Sequence, residues 1–518
     1  MAIPSALNVD DCTGLVDAAA DSNAPRLGLL FVHGIGTQQE GVTLMQSGGP
    51  LLEWLRDWLE LKGDPEIRQA VLKPSEVSGE SRAHAEFLIE PLGESPQRIV
   101  LAESLWAAQF DPPPFRELCG WLLGYGAWVA LRHFCTQTPD AMLRWVPFWI
   151  RSHLLKLDAA TANLGAIVVA FVGLIFVVLP LQLFLVALYV LALVPLQAVK
   201  DWVVRLGVRI SEIIGDSYVF VSNPLARAAI THKLLTDLAW LEERCGNEIP
   251  IVILAHSQGA AVAFDALRGR RSSRPVRLIT YGAGIRRLFE IESEIRSDSL
   301  IPKLIRMVWP IVLLAVLASE AVRRDLLHIF SLPVAEMAGA YDPDAHFGIL
   351  FLLGIYLFFF VTAGMVGGFG RAAESKVDER LKPEMLRFLE GEVRWRDFVA
   401  SNDPVPDGRL LQSAACVWLE DEAWRSCNGL PVTFGTSRVN NQRSAIADHT
   451  SYWGAPDDFI MRVGVQLNEW AQLGWLRLDA VATDEAVGTI SRTRGVRVGL
   501  RNAAHFLLAV GRSSWPFN

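Results

Sequence analysis

Positive charge is in short supply in this chain. Across 518 residues, 48 Lys and Arg stand against 56 Asp and Glu, for a net charge of −8, and the isoelectric point lies near 5.8. A nucleic-acid partner is therefore not expected, because neutralising phosphates takes clustered cations. Cysteine is sparse as well. Cys12, Cys119, Cys135, Cys245, Cys416 and Cys427 are dispersed, with neither a C-x-x-C pair nor metal-ligand spacing. That excludes a zinc knuckle and a disulfide-dense scaffold, and reads as buried thiols in a reducing compartment. No Lys or Arg precedes Arg26 and no long apolar run lies before it, so residues 1–25 read as a polar, flexible arm and not as a secretory signal. No internal repeat is visible, and no residue pattern calls for a metal or an organic cofactor.

Charge is missing altogether from two stretches. Residues 159–199 carry none over 41 positions and residues 347–370 none over 24. A spanning helix rises about 1.5 Å per residue and needs about 20 residues. The first run therefore suits a hairpin turning near Pro180 and Gln182, and the second a single span. The shorter run 304–318 is a marginal partner for it, with Arg306 able to snorkel. Leu118–Leu131 and Arg144–Arg151 are aromatic and too short to cross; they suit an interface or a buried helix. A 51% hydrophobic content, 17 Trp and a mean hydropathy of +0.28 agree with a membrane setting.

Against that background, Pro250–Gly259 reads as soluble α/β architecture. Ile251–Leu254 is a fully buried parallel strand by its continuous apolar run, and Ala260–Leu267 is the helix after it. Ser257 sits at the junction between Ala255 and Gly259, where small residues let strand and helix approach around an exposed serine. Earlier, Leu27–Val32 is a strand running into His33-Gly34-Ile35-Gly36. That loop lacks the Lys-Ser/Thr ending of a phosphate-binding P-loop. Residues 50–60 have the period of a surface helix packed on the sheet, and Ala85–Pro91 reads as a strand. Trp106 and Phe110, before the proline triplet at 112–114, suit either a substrate groove or a packed core. Arg277–Gly282 and Val393–Val399 are further strands, the latter opening Ala400-Ser401-Asn402-Asp403-Pro404-Val405. A helical piece follows within 411–440, then a short strand at Pro431–Phe434. Beyond Asp403 the only histidines are His449, in a polar loop, and His505, in an apolar helical stretch.

Ala255-x-Ser257-x-Gly259 resembles the nucleophile elbow of the α/β-hydrolases, with Ala in place of the first Gly, and His33-Gly34-x-Gly36 resembles their oxyanion-hole segment. The closest general likeness is to membrane-associated bacterial lipases and esterases. The resemblance implies Ser257 as nucleophile and backbone N–H donors at Ile35 and Gln258, with His33, Gly34, Gly36 and Gly259 supporting. It also implies Asp403 as the acid, with Asp397 and Asp407 as weaker alternatives, and His449 as the general base. The order Ser, Asp, His is the family's own. It covers about 25–110, 215–290 and 390–455.

The expected fold is an α/β-hydrolase-like, mostly parallel sheet with helices on both faces, interrupted by two helical membrane-associated insertions. The expected division is an arm at 1–25, hydrolase sequence at 26–114, an insertion at 115–215, and the elbow at 216–294. A second insertion follows at 295–375, then a C-terminal part at 376–518. A common site requires an even number of crossings between its residues, which a hairpin at 159–199 and a pair at 304–318 and 347–370 provide. Basic residues including Arg144, Arg151, Lys200, Arg205, Lys303 and Arg371 flank those runs on the inferred catalytic side. The positive-inside rule then places that domain at the cytoplasmic face of a bacterial inner membrane. The expected activity is cleavage of a carboxylic ester, with a lipid as one candidate substrate and the bilayer as partner; no protein partner is indicated. The rival reading is a catalytically inactive hydrolase fold serving as a membrane scaffold or interaction protein.

Overall fold

The structure, a computed structural model, describes residues 26–35, 39–61, 67–71, 84–89, 97–107, 183–184, 187, 191, 216–246, 249–270, 274–295, 377–400, 403, 405–406, 409–411, 421–439, 441 and 448–472. Two compact units divide the chain. The first comprises Met1–Asp111, Asn223–Leu288 and Leu381–Asn518, and the second Pro112–Ser222 and Phe289–Arg380.

The first unit carries an eight-stranded sheet. Its strands are β1 (Arg26–Val32), β2 (Ile67–Val71), β3 (His84–Ile89), β4 (Gln97–Ser104), β5 (Ile251–His256), β6 (Val276–Tyr281), β7 (Val393–Ala400) and β8 (Phe434–Val439). They lie in the order β2-β3-β4-β1-β5-β6-β7-β8. Only β3 runs against its neighbours, and every pairing from β4 to β8 is parallel. The architecture is therefore α/β with a mostly parallel sheet. Ile251–Ala255 is buried along its whole length, as a central strand covered on both faces must be.

The helices of this unit are α1 (Gly49–Leu61), α2 (Pro224–Cys245), α3 (Gln258–Arg268), α4 (Ile285–Ile295, shared with the second unit), α5 (377–389, likewise shared), α6 (Asp421–Cys427) and α7 (Met461–Ala471). One face of the sheet presents Leu29, Phe31, Leu254, Tyr281 and Phe398. It packs with Leu51 and Leu55 of α1, Phe459, and Val463 and Leu467 of α7 in one apolar cluster. On the other face, α2 and α3 lie against each other and against β1 and β5. There Phe264 of α3 meets Trp395 of β7, with ring centroids 5.6 Å apart. Asn223 caps α2, its side chain accepting from the N–H groups of Leu225 and Ala226, with Pro224 at the first turn.

Some expectations shift. The strand read at Pro431–Phe434 begins at Phe434 and runs to Val439. Val432 is exposed while Phe434 is buried, and Pro431 cannot donate to a ladder. Cys245 is a buried free thiol, whereas Cys427, expected as a thiol, is disulfide-bonded. Among the described residues no helix is long and apolar enough to cross a membrane. The expected insertion segments 118–131, 144–151, 304–318 and 347–370 lie outside the described residues, as do residues 1–25. Of the expected hairpin 159–199 only Leu183, Phe184, Ala187 and Leu191 are described, all helical and exposed.

Candidate active site

Ser257 stands between β5 and α3 with φ 55° and ψ −123°. A non-glycine residue in that region is strained by about 1–3 kcal/mol and persists only where its surroundings over-determine it. Three main-chain hydrogen bonds do so. Its N–H donates to the Tyr281 carbonyl (3.1 Å), and its own carbonyl accepts from Gly284 N–H (2.9 Å) and Ala260 N–H (3.2 Å). Ala255, where the elbow pattern has Gly, is buried in β5 and paired with Val32 and Thr280. Gly259 has no such latitude: a Cβ there would lie 2.7 Å from the Val32 carbonyl and against that of His33. A Cβ on Gly34 would lie 2.8 Å from the Ser257 Cβ. The loop after β1 thus rests directly on the serine because both contact points lack side chains.

His449 and Asp403 complete a series of hydrogen bonds. Ser257 Oγ lies 2.9 Å from His449 Nε2, and His449 Nδ1 lies 2.9 Å from Asp403 Oδ1 and 3.0 Å from Oδ2. A carboxylate only accepts, so Nδ1 carries the proton and Nε2 is left to accept from the serine hydroxyl. Asp403 is buried and held by further donors: Val405 N–H to Oδ1 (2.9 Å) and the Tyr452 hydroxyl to Oδ2 (2.7 Å). The Tyr452 oxygen in turn accepts from Ala400 N–H at the end of β7 (2.8 Å). Burial first, then the neighbouring carboxylate, holds the phenol well above its usual range, so it stays a donor. Gly282, at φ +58°, lets the chain after β6 pass where a Cβ would be 2.8 Å from Asp403 Oδ2 and 3.1 Å from His449 Nδ1.

The expected oxyanion donors flank the serine. His33 is buried and its Nδ1–H donates to the Gly34 carbonyl (2.7 Å). The peptide is trans, so the N–H of Ile35 points opposite to that carbonyl, and the His33 ring fixes its direction. Burial lowers the His33 pKa to about 4, which keeps the ring neutral. Trp106 secures the arrangement: it stacks on His33 with centroids 4.9 Å apart and donates from Nε1 to the His33 carbonyl (2.9 Å). Trp106 is fully buried, so it belongs to the packed support and not to a groove. Gln258 opens α3, where N–H groups face outward from the helix start. Glu103 at the end of β4 accepts from the N–H groups of Gly41 and Leu44, which ties down the far end of the loop.

Asp397, the acid alternative inside β7, faces elsewhere. Thr280 Oγ1 donates to its Oδ1 (2.6 Å), its Oδ2 has no partner among the described residues, and burial raises its pKa to about 7. Gly36, Phe110, Asp407 and His505 lie outside the described residues. No motif in the sequence marks Tyr452, Glu103 or His256. The first stands three residues after His449 and the last directly before Ser257, and neither spacing carries a periodic signal. Among the described residues no group of three or more His, Cys, Asp or Glu side chains is placed to hold a metal ion. Comparison with protein-family models, with curated proteins and with solved structures returns no match.

Proposed function

We propose that the chain is a membrane-associated, α/β-hydrolase-like serine hydrolase that cleaves carboxylic esters. The observation that carries this reading is the unbroken series from Ser257 Oγ through His449 to Asp403, at 2.9 Å per step, anchored on a serine in strained backbone conformation. The Oγ–H proton passes to His449 Nε2 as Oγ attacks the ester carbonyl. The Ile35 and Gln258 N–H groups receive the oxyanion, and Asp403 stabilises the imidazolium through Nδ1–H. His449 then protonates the leaving alcohol. A water, deprotonated by the same Nε2, attacks the acyl-enzyme; collapse releases the acid and returns the proton to Ser257.

The uncharged runs 159–199 and 347–370 support a multi-pass bilayer anchor. Leu183, Phe184, Ala187 and Leu191 are apolar, helical and exposed. Lipid acyl esters are the substrate class that such an anchor favours. The basic residues flanking the runs favour a cytoplasmic catalytic face at a bacterial inner membrane.

Labelling of the full chain with a serine-directed fluorophosphonate tests the proposal. Wild-type protein is expected to label, Ser257→Ala not at all, and His449→Ala about 10²-fold or more slowly. Absence of labelling in folded wild-type protein, in detergent and in bilayers alike, would overturn the enzyme and favour a membrane scaffold.

A further inference from the structure

The mechanism above gives no task to His256, yet its ring lies in the middle of the site. His256 is the last residue of β5 and the neighbour of Ser257. One face of its ring stacks on Tyr281 of β6, with centroids 4.9 Å apart and planes inclined by 19°. The ring also stacks on His449 itself, at 4.6 Å and 28°, and meets Tyr452 edge-on at 6.1 Å. His256 Nε2 lies 2.8 Å from the main-chain carbonyl of His449. A carbonyl only accepts, so Nε2 bears the proton and donates.

His449 needs such a hold. It follows β8 by ten residues, and among the described residues no sheet pairing reaches it. Its neighbour Asp448 is fastened by a hydrogen bond from Asn441 Nδ2 to its carbonyl (2.9 Å), and its ring is fixed at Nδ1 by Asp403. His256 supplies a further constraint, on the main chain of His449. The same strand end therefore sets both Ser257 Oγ and the backbone from which the general base projects.

We infer that His256 is a positioning residue: its Nε2–H, donated to the His449 carbonyl, fixes the distance between His449 Nε2 and Ser257 Oγ. This rests on the serine-hydrolase reading for its kinetic consequence, though not for the bridge itself. The neutrality of His256 suits the task, since burial pushes its pKa down to about 3. No second cation then stands beside the imidazolium formed on His449.

Two substitutions separate the ring from the donor. His256→Phe keeps a flat ring against Tyr281 and His449 and removes the donor; His256→Gln keeps an N–H at similar reach and removes the ring. In the full chain, fluorophosphonate labelling is measured against probe concentration, with thermal unfolding followed in parallel. The limiting labelling rate of His256→Phe is expected to fall about 10- to 100-fold, since misplacing a reacting group by about 1 Å costs up to about 10²-fold. Half-saturation should not move, and His256→Gln should recover most of the loss. A limiting rate in His256→Phe equal to wild type would overturn the inference. So would an equal loss in both variants, because the donor would then carry nothing.

A second readout does not depend on activity. Nitrogen NMR of histidine-labelled wild-type protein should find His256 protonated at Nε2 and bare at Nδ1; the opposite tautomer would overturn the bridge. Wild-type protein with the Nε2–H tautomer but no labelling would support the bridge and count against the hydrolase instead.

Discussion

The two halves of the site are held in different ways. Ser257 is fixed mainly by backbone: the turn is locked by the Tyr281 carbonyl and by the Gly284 and Ala260 N–H groups, and Gly34 and Gly259 permit contact without side chains. Asp403 and His449 lie beyond the ends of β7 and β8 and are fixed mainly by side chains, Tyr452, Asn441 and His256 among them. A backbone-fixed site should fail by losing structure, whereas a side-chain-fixed site should fail by losing rate while the fold survives.

Gly259→Ala is the strongest attack on the first half. The added methyl meets the backbone oxygens of Val32, in β1, and His33, just after it, which cannot rotate away, so α3 must lift off the sheet. A destabilisation of about 3 kcal/mol is expected in chemical denaturation, with labelling of Ser257 falling about 10²-fold. A variant with native stability and rate would show that the strand and helix are less tightly joined than the geometry requires.

Tyr452→Phe attacks the second half. It removes two hydrogen bonds, one donated to a buried carboxylate and worth about 1.5–3 kcal/mol, the other accepted from Ala400 N–H, and leaves the apolar ring packed against Tyr281 and Phe459. Labelling should slow about tenfold or more. A melting temperature that collapses along with the rate would place Tyr452 in the fold's stability and break the contrast between the halves.

Asp397 sharpens the comparison from within β7. It is buried like Asp403, six residues earlier, but Thr280 is its hydrogen-bond donor and one oxygen is unpartnered among the described residues. Burial raises its pKa from 3.8 to about 7 in the folded chain. Below about pH 4 both folded and unfolded chains hold the proton, and the side chain's contribution is fully present. As the pH rises towards 7 the unfolded chain releases its proton first, so stability is lost. Compared with Asp397→Asn, wild-type protein should lose roughly 3–4 kcal/mol of unfolding free energy between pH 4 and pH 7. Parallel stability curves for the two proteins would mean that Asp397 is ionised in place.

The same division decides what could be read in the sequence. β1, β5, β6 and β7 are strands whose apolar character follows from their place inside the sheet. The elbow is legible because Ala255, Ser257 and Gly259 are neighbours in the chain. β2 and β4 gave no such continuous run, and the polar start of β4 at Gln97 and Arg98 hid its beginning. The signal for α2 is present in Asn223-Pro224 and in the spacing of Ile230, Leu234, Leu238 and Leu241, but the long apolar run that ends at residue 199 overshadows it. The bridges from Tyr452 to Asp403 and from His256 to His449 join residues 49 and 193 positions apart. They depend on where loops end after folding, and no local pattern encodes that.

The position of β1 has a consequence for how the chain reaches its fold. The first described strand lies at the middle of the sheet, with Gly28 opposite Val100 on one side and Ile251 on the other. During synthesis its second edge therefore stays open until β5 has emerged, after the whole of Pro112–Ser222. Closing a longer loop adds only about 0.6 kcal/mol per doubling of its length, so equilibrium stability tolerates so distant a neighbour. Folding speed does not share that tolerance, because pairing across long sequence separations is slow. An apolar strand waiting with an open edge is also prone to pair with the wrong chain. Yield on refolding from denaturant should therefore fall as protein concentration rises, even where the folded protein is stable.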